Sequence, residues 1–275
     1  AWSHRWGKLS RMPPQNLAPN GLLERTQWDF FWVPPDVKTI ERPELAYLSC
    51  PRDRHYLNMV TRTRATGAEL PALVAEVTAA HQGRRSRWLV PPTFDTEPLE
   101  RALSAGGYFP DDNYRVSVLG CEDALPRATP EGIEVLAVHD LETLEASFEV
   151  SCAAFGDPGP RTSEQPERDL KMCSGPGARV VRIIARDQES RAPLGCGNMT
   201  FFEGLSFGLL WGGGTLPAAR GRGIYRAVLQ ARVEAARRAG LRAVGLFANE
   251  QTSSPIVAHL GFEQHGRATY WERPA

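Results

Sequence analysis

Apolar and polar positions change rhythm near residue 130, and the elements they predict fall into two blocks. In the first, residues 45–49 (LAYLS) and 56–63 read as strands. TQWDFFWV at 26–33 reads as another, closed by Pro34 and Pro35, which cannot extend a hydrogen-bonded ladder. Leu70, Leu73, Val74 and Val77 recur at helical spacing within 67–81, with Pro71 in the first turn, where a missing N–H is harmless. A short strand at 87–90 stops at Pro91 and Pro92, a helix at 96–105 ends on Gly106 and Gly107, and a strand at 114–119 closes the block. The first 25 or so residues are expected to form an irregular or short helical lead-in that packs Trp2, Trp6, Leu22 and Leu23.

Residues 123–132 (DALPRATPEG) lack periodicity and hold two prolines, which makes them the expected linker and divides the chain into 1–128 and 129–275. The second block predicts a strand at 133–138, a helix capped by Asp140, and a polar Pro/Gly-rich stretch at 156–166 of a length that borders binding sites. Three strands follow at 179–186, 195–202 and 208–216, as in an antiparallel meander. A helix at 223–239, a strand at 243–249, a short helix around 255–260 and a strand near 268–271 complete the order.

Composition narrows the function classes. A chain of 275 residues accommodates two ordinary domains, and 42% hydrophobic residues suffice for buried cores. Lys plus Arg equals Asp plus Glu at 32 each, which disfavours nucleic acid as a partner. There is no apolar run of about 18 residues and no basic-then-apolar leader, so a cytoplasmic location without membrane contact is expected. Cys50, Cys121, Cys152, Cys173 and Cys196 are scattered without metal-ligand spacing, and are expected to be reduced core thiols with no bound metal.

The candidate chemistry lies in the stretch Gly208-Leu-Leu-Trp-Gly-Gly-Gly-Thr-Leu-Pro-Ala-Ala-Arg-Gly-Arg-Gly-Ile-Tyr225. A glycine-rich strand runs into a Gly/Arg turn and a helix opens at once, so unpaired N–H groups gather at the positive end of a helix dipole, where glycines let an anion approach the backbone. No Lys-Ser/Thr follows the last glycine, as a P-loop needs, and the turn does not open the first strand-helix unit, as a dinucleotide fingerprint does.

Arg220-Gly221-Arg222-Gly223 resembles the pyrophosphate-binding motif of the GNAT superfamily of N-acetyltransferases, with Tyr225 departing at its last place, where a small residue is usual. Thr215-Leu216-Pro217 before the turn, an amphipathic helix with Ile224, Val228, Ala231 and Ala235 on one face, and Leu260-Gly261-Phe262 near the end strengthen the likeness, which covers about residues 132–271. It implies a mixed α/β (α+β) fold, a mostly antiparallel sheet flanked by helices. In the first half, a helix at 67–81, Ser86-Arg87-Trp88-Leu89-Val90-Pro91 and Gly107-Tyr108-Phe109 echo the same layout without the cradle, so two such domains in tandem are expected, the first degenerate and completing the acceptor pocket.

The resemblance implies acetyl-CoA or another acyl-CoA as co-substrate, bound by Thr215, Leu216, Arg220, Gly221, Arg222, Gly223, Ile224, Tyr225, Asn249 and Ser254. It implies direct attack by an amine on a thioester carbonyl polarised by an amide of the fourth strand. The family's usual acid, a Tyr four residues before the Gly of Leu-Gly-Phe, is replaced by Val257, so Tyr225, Ser254 or water is left to serve, with Glu250 as candidate base. Asn249 reads equally as a turn cap, and Glu250 equally as a solvated acid. His259 and His265 read as surface or packing residues. Trp211 and Asn198 are candidates for the acceptor site, Trp211 reading equally as core, and Asp157, Arg161 and Glu164 for acceptor recognition. The expected activity is N-acyl transfer to a small-molecule amine. The alternatives are a protein or peptide amine, an aminoacyl-tRNA, or a non-catalytic acyl-CoA binding module.

Overall fold

The computed structural model describes residues 17–30, 33–123, 129–156, 161–175, 177–202 and 204–275. In chain order the first elements are α1 (Pro19–Thr26), β1 (Lys38–Glu41), β2 (Leu45–Ser49), β3 (Met59–Thr63), α2 (Leu70–Ala80), β4 (Ser86–Val90), α3 (Thr96–Ala105) and β5 (Phe109–Gly120). There follow β6 (Ile133–Ala137), α4 (Leu141–Phe155), α5 (Gln165–Cys173), β7 (Val180–Asp187), β8 (Pro193–Phe202), β9 (Phe207–Thr215) and α6 (Ile224–Arg238). The chain ends through β10 (Ala243–Asn249), α7 (Ser253–His259) and β11 (Glu263–Arg273). Among the described residues no helix is long and apolar enough to cross a membrane.

Contacts group these residues into two compact units, one of Val118–Leu246 and one of Leu17–Ser117 together with Phe247–Ala275. This partition differs from the expected division at 128 and 129. The physical reason is β11, which pairs antiparallel with β4 from Thr269 opposite Val90 to Arg273 opposite Ser86, and so ties the last residues to the first block.

In the unit containing Leu17–Ser117 the strands run in the order β1-β2-β3-β4-β11-β5. Leu45, Val60, Val74, Trp88, Leu103 and Trp271 share its main core. The described residues of the expected strand at 26–33 form no strand. Thr26 ends α1, residues 27 and 28 turn, and Phe31 and Trp32 lie outside the described residues, as do Trp2 and Trp6. The guanidinium of Arg25 stacks 4.3 Å from the Trp28 ring centroid, a cation–π contact that suits a turn after a helix better than a ladder.

In the other unit β6, β7, β8 and β9 form the antiparallel meander, and β10 joins β9 in parallel, Ala243–Gly245 lying opposite Phe207–Leu209. α4 starts on the expected cap. Asp140 accepts from Thr143 N at 2.9 Å, and the Thr143 hydroxyl bonds back toward the cap, a reciprocal box that satisfies orphan N–H groups. Helix α6 buries Ile224, Val228, Leu229 and Val233, and packs on β7, β8 and β9. α5 was not anticipated. It begins at the end of the polar stretch expected at 156–166 and runs on through residues given no element, with Pro166 tolerated in its first turn.

Candidate functional site

The Gly/Arg turn is built from two left-handed glycines. Gly221 and Gly223 both have φ +78°, a conformation that a Cβ resists, and Gly223 is the residue from which α6 springs. No side chain caps this end of the helix, and the N–H groups of residues 221–226 make no hydrogen bond of normal geometry among the described residues, although 220–223 form a turn. Fifteen residues of helix stand behind them, so their positive end faces outward unneutralised. Arg220 has no side-chain partner among the described residues, and Arg222 lies near enough to Asp187 to help, after the Ser190 hydrogen bonds, hold that carboxyl below the usual range. Thr215 and Leu216 lead into this turn, and Ile224 is buried beneath it.

A second irregularity lies one turn of chain earlier. Cys196 pairs with Gly214 and Asn198 with Trp211, so Gly197 alone faces both Gly212 and Gly213. This is a bulge, with Gly212 at φ +58°, and it breaks the hydrogen-bonded ladder in mid-strand. Beyond Leu209, β9 has no further register with β10 in this unit, which leaves the edge of residues 210–215 without that partner.

Polar atoms without partners collect around this strand. Asn198 is 6% exposed and its Oδ1 is buried with no hydrogen bond, as is Thr215 Oγ1. Such atoms occur elsewhere in the chain too, so these two are consistent with a bound molecule that supplies a donor without requiring one. Tyr225, in the first turn of α6, lies against the bulge: a Cβ at Gly213 would stand 3.1 Å from its ring. Trp211 is 40% exposed, which excludes the plain-core reading, and its Nε1 donates to Thr200 Oγ1 at 2.9 Å. Arg182 sits 5.6 Å from its ring centroid.

Arg232 is the residue that pattern reading missed. It occupies the buried face of α6 at 1% exposure, donating from Nη1 to Asn198 O at 3.1 Å and from Nε to Val228 O at 3.3 Å. The signal was available, because Arg232 interrupts the apolar stripe of Ile224, Val228 and Ala235 at its own spacing. Cys196 lies nearby, and burial pushes its thiol up despite the guanidinium, which disfavours the reactive thiolate.

Three predicted site residues belong to the other unit. Glu250 bonds Arg115 at 2.7 Å and Arg267 at 2.8 Å, and Arg267 chiefly holds its carboxyl below the usual range. A carboxylate clasped by two guanidiniums is a poor base, so the geometry disfavours the role expected for it. Asn249 is consumed by a turn: its Oδ1 accepts from Gln251 N at 2.9 Å and Nδ2 donates to Asp112. Ser254 is buried and accepts from Gln264 at 3.1 Å. Val257 is fully buried in α7. Of the residues expected to meet an acceptor, Arg161 pairs with Glu145 and stacks on Phe148, Glu164 precedes α5, and Asp157 lies outside the described residues.

No protein-family model matches the chain, and no curated protein matches it. Solved structures do. A GCN5-related N-acetyltransferase from Kribbella flavida is similar over 95% of this chain and 97% of its own, at 16% identity and TM-score 0.67. One from Sphaerobacter thermophilus is similar over 84% and 80%, at 20% identity and TM-score 0.59. A tandem GNAT protein from the clavulanic acid biosynthesis pathway is similar over 87% and 84%, at 16% identity and TM-score 0.59. At these identities the likeness is one of fold, and the chain has the fold of these GNAT proteins.

Proposed function

We propose that the protein is an acyl-CoA-dependent N-acyltransferase acting on a small-molecule amine. One observation carries this reading: the row of unpaired N–H groups at residues 221–226, at the head of a long helix and with two left-handed glycines among them. That arrangement suits a pyrophosphate. Arg220 and Arg222 add positive charge beside it, and the unpaired edge of β9 from Leu210 to Thr215 suits an amide-bearing arm laid along it as an extra strand. The unsatisfied Asn198 Oδ1 and Thr215 Oγ1 fit a ligand with its own donors. In this reading binding belongs to the unit of Val118–Leu246, and the first block, which lacks a cradle, serves the acceptor.

The co-substrate supplies a thioester. The amine lone pair forms a bond to the acyl carbon, the carbon–sulfur bond breaks, its electron pair leaves on sulfur, and the amine proton passes to base or solvent. The bulge at Gly212 and Gly213 releases strand amides from the ladder to meet negative charge on the thioester oxygen. Tyr225, against that bulge, is the side chain proposed to return a proton to sulfur, a role for which Val257 carries no group.

Val257 and the clasped Glu250 favour one second reading, a module that binds acyl-CoA without turning it over. Calorimetry with acetyl-CoA, followed by an amine screen for thiol release, separates the two. Binding with release in the presence of an amine supports the transferase. Binding without release from any amine supports the module, and absence of binding removes both.

A further inference from the structure

Arg232 is buried to 1% exposure, and its Nη2 has no hydrogen-bond partner. No carboxylate pairs with it among the described residues. Burial depresses its affinity for its proton, and the neighbouring Tyr225 and Cys196 offset this only in part. A guanidinium cannot escape by deprotonating, so the fold carries an uncompensated charge that an apolar side chain of similar length would avoid. Other arginines also leave a buried nitrogen without a partner, but among the described residues with such a nitrogen Arg232 is the one arginine that is itself buried.

Its position gives the charge a use. A Cβ at Gly197 would lie 2.8 Å from Arg232 Cζ, and one at Gly213 would lie 3.2 Å from Nη2. The guanidinium is therefore pressed against both strands of the bulge, where only glycines leave room for it. It donates to the carbonyl of Asn198, the residue after Gly197, and so polarises that peptide. The Tyr225 phenol faces it as well, near enough to support its charge both electrostatically and as a hydrogen-bonding neighbour, though Nη2 has no bond of normal geometry.

We propose that Arg232 is a positioning residue for acyl transfer, a buried cation that fixes the Gly212–Gly213 bulge and lends its field to the strand amides that receive charge from the thioester oxygen. The inference rests on the acyltransferase reading and adds to it a residue outside the cradle motif. In a water-poor interior, a fixed charge behind a hydrogen-bond donor acts with little screening and needs no reorganisation during the reaction.

The test uses acetyl-CoA labelled with carbon-13 at its carbonyl, which needs no knowledge of the acceptor. Infrared spectra of the bound thioester are compared for the wild type, Arg232→Met and Arg232→Lys, with affinity by calorimetry and melting temperature alongside. The carbonyl band is expected to move to lower wavenumber on binding the wild type. Most of that shift is lost in Arg232→Met and retained in Arg232→Lys, with Kd changed by less than about threefold and the melting temperature of Arg232→Met unchanged or higher. With an accepted amine, kcat of Arg232→Met falls about 10- to 100-fold at constant KM. A folded Arg232→Met with the wild-type band overturns the proposal. If that variant fails to fold, Arg232→Gln is read the same way, and failure of both to fold marks the residue as structural and overturns it too. Absence of calorimetric binding by the wild type is a different failure, that of the acyltransferase reading itself.

Discussion

His81 Nδ1 lies 2.7 Å from Ser86 Oγ inside the core of the unit containing Leu17–Ser117, with no exposure for either residue. Leu48 O, 2.8 Å from Nε2, can only accept, so Nε2 carries the proton and Nδ1 accepts from Ser86. Ser86 in turn takes the Tyr108 hydroxyl at 2.8 Å. A neutral imidazole satisfies this chain of contacts, and burial lowers its pKa to about 4. A folded value below the unfolded one of about 6.5 means the unfolded chain binds the proton more readily. Stability should therefore be intact above pH 6.5 and decline as pH falls toward 4, by roughly 3 kcal/mol in full. Urea denaturation at pH 7 and pH 4.5 checks this. His55, lowered to about 4 mainly by burial, adds to the same window, so His81→Gln should weaken the pH dependence without abolishing it.

Gly221→Ala should separate strain from binding. A Cβ there meets nothing within 4 Å, whereas at Gly223 it would approach Pro130 at 3.2 Å. The left-handed backbone costs the Gly221 variant about 1 kcal/mol, and any methyl stands among the amides of the turn. We expect a small loss of melting temperature and at least a tenfold weaker Kd for CoA. Unchanged affinity would move the cradle elsewhere.

Asp140→Ala removes one side of the capping box on α4 and should destabilise its unit by about 1 kcal/mol. Thr143, through its backbone N–H first, holds the Asp140 carboxyl below its ordinary range, so the cap is in place above pH 4 and lost as acid protonates it. Thermal melts of both proteins at pH 7 and pH 3 should converge at the lower pH.

Glu250→Gln should leave turnover within about threefold of the wild type once an acceptor is known, because a carboxylate held ionised by Arg267 and Arg115 takes up protons poorly. A loss of about 100-fold in kcat with unchanged CoA affinity would return the base to Glu250.

The helix opening after the Gly/Arg turn and the bounds of α3 and β10 were legible because they follow from neighbours in sequence. Arg232 was also visible, at helical spacing between Val228 and Ala235, but an apolar-stripe reading overlooks the one residue that breaks the stripe. The role of Glu250 was not legible, since Arg115 is on a strand far away in sequence. Nor was the bulge, which depends on how β8 registers against β9 rather than on either strand alone. α5 was hidden by its charges and Pro166, which mimic a loop.

The placement of β11 bears on how the protein is made. Within its unit it stands between β4 and β5, yet it is the last of the described strands to be synthesised. While the ribosome is still producing the intervening residues, β4 must wait with one edge open, a state prone to sticking to other chains. Closing that gap means joining segments from distant parts of the polypeptide, which is slow by its topology. A chaperone that shields nascent strands would be expected to raise the yield of this protein more than its melting temperature suggests.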